Sequence, residues 1–146
     1  MLQFYKTLVR PKLEYCIQAR RLYPKKDINV LERVQRRATR MITSCSKLNY
    51  EDRLASLGLT TLETGRLRGD LIEVFKINKG YDNIGSEIFF SKNASNLRGH
   101  SMKVIKKGFR LDVGKLSFSN RAVNECNGLS EEIIQSKSLA GFKKID

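Results

Sequence analysis

Asp27–Ile42 reads D-I-N-V-L-E-R-V-Q-R-R-A-T-R-M-I and carries two patterns at once. Wound at about 100° per residue, Val30, Leu31, Val34, Ala38, Met41 and Ile42 gather on one broad face. Arg33, Arg36, Arg37 and Arg40 gather on an arc of roughly 100° on the opposite side. Asp27 or Asn29 can cap the start, and Asn29 with Glu32 three residues on makes a capping box. The spacing predicts an amphipathic helix that buries its apolar face and turns its guanidinium groups outward. Such a row is ordinarily a solvated charged face. Here no acid follows any of the arginines at i+4, so pairing along the helix does little to neutralise them. An anion-binding ridge is the competing reading.

Charge is concentrated in the same part of the chain. Of 146 residues, 28 are Lys or Arg against 15 Asp or Glu, a net charge of +13. Residues 1–47 hold 12 basic and 3 acidic residues, net +9, and residues 48–146 hold 16 and 12, net +4. A basic half of this kind points first to nucleic acid and second to an anionic membrane surface. The membrane is the poorer fit: no apolar run approaches the ~18 residues needed to span, and no secretory signal pattern opens the chain. Cys16, Cys45 and Cys126 are far apart with no C-x-x-C, and the single His100 has no cysteine near it in sequence. A zinc site is not expected, and a reducing compartment, nuclear or cytoplasmic, suits the thiols.

The remaining pattern is mainly helical. Leu2, Phe4, Tyr5, Leu8 and Val9 supply apolar positions ahead of Pro11, which either opens a second helix or kinks a continuous one. Leu13, Cys16 and Ile17 form a short apolar stripe whose next position is Arg20, against the local pattern. Arg20-Arg21-Leu22-Tyr23-Pro24-Lys25-Lys26 is a basic turn in which Tyr23 either stacks on a base or packs at a helix junction. Asn49 caps a helix Tyr50 to Leu57 that Gly58 ends; Thr60 with Glu63 makes a capping box for a helix from about Thr61 to Lys79, closed by Gly80. Gly65 and Gly69 each cost that helix roughly 1 kcal/mol against alanine. Tyr81 to Asn96 is turn-rich, and Met102–Ile105 with Phe109–Val113 has the form of a small hairpin. Helices are expected over Ser117 to Asn127, Ser130 to Gln135 and Ser138 to Ile145. The expected organisation is a basic helical segment over 1–80 and a C-terminal tail over 81–146.

Catalytic machinery is missing from this pattern. A polymerase needs paired carboxylates for two metal ions, and adjacent acids occur at Glu51-Asp52 and Glu131-Glu132, both at helix openings where the helix dipole favours acids. No phosphate loop, no G-x-S-x-G and no His beside a nucleophile is present. Arg98-Gly99-His100-Ser101 is the most site-like tetrapeptide, and a lone His is more often structural. No catalytic residue, metal or cofactor is expected.

Several blocks carry a family resemblance. Leu8-Val9-Arg10-Pro11-Lys12-Leu13-Glu14-Tyr15, Leu31 to Arg40, Leu57-Gly58-Leu59-Thr60-Thr61-Leu62-Glu63, Arg66 to Leu71, Arg98 to Ser101 and Phe142 to Asp146 occur in this order. Together they resemble the region after the polymerase core in jockey-type non-LTR (LINE-like) retrotransposon reverse transcriptases, over essentially the whole chain. The resemblance implies a thumb-like helical bundle and tail that grip template–primer phosphates without polymerising. It implies RNA, DNA or an RNA–DNA hybrid as partner, bound without sequence preference, and the palm of the parent polymerase as a docking partner. The expected contacts are Arg33, Arg36, Arg37 and Arg40, with Arg10, Lys12, Arg20, Arg21, Tyr23, Lys25 and Lys26 nearby. The competing class is a protein-docking module whose basic face is incidental.

Two departures stand out. The family typically has Trp where Arg20 and Cys126 stand, and this chain has no Trp. With Gly65 inside a helix and Met1 opening partway through the family's helical region, these suggest a truncated, marginally stable remnant that Cys126→Trp would stabilise.

Overall fold

The computed structural model describes residues 1–15, 25–42, 45–82, 84–92, 100–111, 114 and 117–143, with side chains at 25, 26 and 92 left aside. These residues are mainly α-helical. The N-terminal helix runs continuously through Pro11, which stands near the start of its last α-helical stretch. The N-terminal helix passes from α-helical Leu2–Phe4 through π-helical Tyr5–Val9 to α-helical Arg10–Leu13. Proline has no N–H to donate and its ring crowds the preceding turn. The widened turn relieves that crowding, and the Arg10 N–H reaches back to the Tyr5 carbonyl.

The arginine helix spans Lys25–Arg40, starting upstream of Asn29, so the expected capping box does not form. Tyr50–Leu57 begins and ends as its punctuation predicts. Asn49 Oδ1 accepts from the Asp52 N–H at 2.8 Å. Gly58 takes the left-handed φ of 59° that a side chain would resist. The long helix Leu62–Lys79 is capped by Thr61, whose Oγ1 accepts from the Thr64 N–H at 3.1 Å, rather than by Thr60. Gly80, at φ 72°, ends it.

The chain forms two compact units, Met1–Leu67 and Arg68–Asp146, so the division falls inside the long helix rather than after it. The first unit's core gathers Tyr5, Ile42, Cys45, Leu54, Leu57 and Leu59. Gly65 has a packing reason here: a Cβ would lie 2.6 Å from Glu14 Oε1 and 3.4 Å from Arg10 Nη2. The glycine lets the N-terminal helix lay that pair against the long helix.

The second unit's core gathers Val74, Ile77, Phe90, Val104, Ala122, Val123 and Cys126. The expected hairpin is re-partnered: Ser91–Lys92 pairs antiparallel with Val104–Ile105. Phe109 to Leu111 lie in no strand. Asn127 explains this, since its side chain accepts from the Val104 N–H at 3.0 Å and donates to the Val104 carbonyl at 2.9 Å. One side-chain amide thus occupies the backbone edge that a second strand would need. Helices Phe118–Gly128, Glu131–Ile134 and Leu139–Phe142 complete the unit.

Candidate functional site

The arginine helix does not bury the face that its apolar residues define. Gln35 and Thr39 are fully buried and Ile42 nearly so, whereas Val30, Val34 and Met41 are 52%, 41% and 63% exposed. The helix is turned by roughly a quarter about its axis relative to the expected seam. A polar network drives this rotation. The Tyr5 hydroxyl donates to Gln35 Oε1 at 2.7 Å. Gln35 Nε2 donates to the Tyr50 hydroxyl and to the Thr60 carbonyl, both at 3.0 Å. The Tyr50 hydroxyl donates to the Glu32 carboxylate, whose other oxygen accepts from the Leu62 N–H at 3.0 Å. Each of these groups would be costly to bury alone, and the glutamine satisfies several at once. Burial, followed by the bond to Glu32, pushes the Tyr50 hydroxyl well above its ordinary range, and burial pushes Tyr5 up to about 12.

Glu32 precedes Arg36 by four residues and would pair with it on an isolated helix. Its carboxylate is instead committed to Tyr50 and the start of the long helix. Arg33, Arg36, Arg37 and Arg40 are all exposed, and among the described residues none is in an ion pair. They line a groove of about 880 Å³ together with Arg53, Tyr50, and the apolar side chains of Val34, Met41 and Leu48. The far wall comes from the turn before Tyr50–Leu57 and from that helix's first residues.

Arg53 and Tyr50 are site residues that the charge pattern missed. Arg53 is 5% exposed. Its Nη1 donates to the Leu48 carbonyl at 2.6 Å, and among the described residues its buried Nε has no hydrogen-bond partner and the group no acid. The Tyr50 ring lies 4.6 Å from the Arg36 guanidinium carbon and 5.7 Å from that of Arg53. Their i, i+3 spacing on a capped helix puts Tyr50 and Arg53 on one face. Nothing local in the sequence says that this face meets the arginine helix.

Other expected contacts fall elsewhere. Arg10 is not a free member of the ridge: its Nε pairs with Glu14 at 2.9 Å and its Nη2 donates to Thr60 Oγ1 at 2.9 Å. Lys12 is exposed and outside the groove lining. Lys25 and Lys26 open the arginine helix. Arg20, Arg21 and Tyr23, like Cys16, lie outside the described residues.

His100 has a structural place, as a lone histidine suggests. Its Nδ1 accepts from the Met102 N–H at 3.2 Å, which leaves Nε2–H to donate to the Cys126 carbonyl at 2.8 Å. Among the described residues no three of His, Cys, Asp and Glu gather as a metal site, and no helix is long and apolar enough to cross a membrane. Comparison with protein-family models, curated proteins and solved structures finds no match for the chain.

Proposed function

We propose that the chain is a non-catalytic nucleic-acid-binding segment that holds the phosphates of a template–primer through its arginine helix. The observation that carries this reading is the ridge itself: Arg33, Arg36, Arg37 and Arg40 exposed, without ion pairs among the described residues, around one groove. Guanidinium groups left unneutralised on a folded surface recognise phosphate oxygens well and read no sequence. The likeness to the post-palm region of jockey-type reverse transcriptases supports the same assignment. It makes the palm of a parent RNA-directed DNA polymerase a further partner and supplies the catalytic metal ligands from outside this chain. RNA, DNA and RNA–DNA hybrid are all suitable, in a nuclear or cytoplasmic setting that keeps Cys45 and Cys126 as thiols.

The test is an anisotropy titration of the full chain against labelled oligonucleotides over a range of salt. With about six phosphates engaged on a duplex, log affinity should fall against log salt with a slope near −5. Reversing all four ridge arginines to Glu should remove most of the binding; a flat salt response in the parent chain would end this reading. A second reading, a protein-docking module, draws on Phe4 and Leu8, each more than half exposed on the N-terminal helix. It predicts self-association without salt-sensitive oligonucleotide binding.

A further inference from the structure

The groove is built from two chemistries, and a phosphate ridge needs only one of them. Its basic side is Arg33, Arg37 and Arg40. Its apolar side is Val34, Met41 and Leu48, exposed by 41%, 63% and 41%. The apolar side chains are available because the Gln35 network, rather than the apolar stripe, sets which face of the helix is buried.

Arg36 lines the same groove. It is exposed, yet its guanidinium is backed at 4.6 Å by the Tyr50 ring, whose hydroxyl is held by Glu32 and Gln35. A planar cation supported on one side and open on the other offers a stacking surface for a base. Arg53 adds an independent sign of a ligand. It is a nearly buried guanidinium in the groove wall, with no counter-charge among the described residues and one N–H without a hydrogen-bond partner. A charge buried in this way is expensive unless an anion joins it.

A duplex would engage only the basic part of this lining. Its bases are paired and stacked inside, so it would set phosphates on the arginines and leave Val34, Met41 and Leu48 against water and sugar. An unpaired strand presents phosphates along one side and base faces along the other.

Resting on the polyanion-binding reading above, we infer that the groove takes unpaired nucleic acid: backbone phosphates on Arg33, Arg37 and Arg40, one phosphate on Arg53, and a base stacked on Arg36 over Tyr50. The apolar side chains then cover neighbouring base faces. The strand's identity as RNA or DNA is immaterial to this lining, since no contact in it depends on a 2′-hydroxyl.

The experiment compares three labelled probes of equal length on the full chain at fixed salt: oligothymidylate, the same backbone with abasic sites, and an A·T duplex. Oligothymidylate should bind at least about tenfold more tightly than either of the others, the range expected for a stacked base. Arg36→Lys keeps the charge and loses the plane. It should erase most of that advantage while lowering the abasic probe's affinity far less, which a merely electrostatic role would not do. Equal binding of duplex, abasic strand and oligothymidylate, all abolished by reversing the four arginines, would overturn the unpaired-strand assignment and leave the polyanion reading standing. Failure of every probe to bind would overturn both. Tighter binding of a glutamate-rich amphipathic peptide than of oligothymidylate would overturn the inference in favour of a protein occupant.

Discussion

Arg36 lies over Tyr50, 4.6 Å from guanidinium carbon to ring centroid, while the hydroxyl of the same ring reaches Glu32 and Gln35 beneath the surface. One residue thus faces the groove with its ring and the core with its oxygen. Glu32 extends the link by capping the start of the long helix. The groove wall is therefore tied to a hydrogen-bond network in the core behind it.

Tyr50→Phe separates the two roles. The ring stays to support Arg36, but the Glu32 carboxylate and the Gln35 amide each lose a partner. Unsatisfied groups of this kind cost about 1–3 kcal/mol. The urea midpoint should fall accordingly, with oligonucleotide affinity close to that of the parent chain. Tyr50→Leu should lose both stability and affinity. A Tyr50→Phe protein as stable as the parent would mean that the hydroxyl network contributes nothing to holding the fold.

The same network sets a limit at alkaline pH. Tyr5 is pushed up to about 12 and Tyr50 is raised further, so the folded chain keeps protons that the unfolded chain gives up near the ordinary tyrosine value of about 10. Stability from these hydroxyls is fully present below that value and is lost as pH rises toward the folded values. Denaturant midpoints should hold steady to about pH 9.5 and then drop toward pH 12. Tyr5→Phe with Tyr50→Phe should start lower and fall less over this window, and a parallel decline in both proteins would refute the assignment.

Local punctuation explains how much of this fold was legible. Asn49, Gly58 and Gly80 act within a few residues of themselves, so the helices they bound are where the spacing puts them. The arginine ridge was legible for the same reason, since its exposure follows from one helix's period. The buried face was not. Val30, Val34 and Met41 look like core, but which side of a helix turns inward is decided by partners, and Gln35 answers to Tyr5, Tyr50 and Thr60 from three other segments. Arg53 and the Asn127 clasp on Val104 were hidden likewise, because each depends on a contact between elements rather than a pattern within one.

In the second unit, Asp70 and Arg121 form a largely buried two-point ion pair. Arg121 donates from Nε and Nη2 to the two carboxylate oxygens at 2.6 and 2.7 Å, with side chains 14% and 5% exposed for arginine and aspartate. Removing the carboxylate takes a two-point, charge-assisted contact from a largely buried guanidinium, and breaking a buried pair in this way costs about 3–5 kcal/mol. Asp70→Ala should lower the melting temperature strongly, and replacing both residues with apolar ones of similar size should recover much of the loss. A mild effect of Asp70→Ala alone would show that this pair contributes little to holding the unit together.

Cys126 reverses the direction expected from a tryptophan at that position. The thiol is 4% exposed, burial pushes it up to about 11, and the gap beside it measures about 10 Å³. That is at the lower limit for a single water and far from room for an indole. Cys126→Trp should therefore overpack the core formed with Leu71, Val74 and Ile134, costing about 1–3 kcal/mol. A calorimetric melting temperature above that of the parent chain would contradict this packing. It would restore the view of Cys126 as a lost tryptophan.

The groove's arginines make a graded prediction. Arg33, Arg37 and Arg40 line it and are exposed, whereas Lys12 is exposed but outside its lining. Each engaged cation contributes about 0.7 to the magnitude of the salt slope on a single strand. Changing Arg33, Arg37 or Arg40 singly to Ala should flatten the slope by about that much and weaken binding most at low salt. Lys12→Ala removes the same charge from the chain without removing a groove contact, so its slope should match the parent's. Equal flattening by Lys12→Ala and by the arginine variants would assign the binding to net charge spread over the molecule, because a specific groove has to distinguish cations by where they stand.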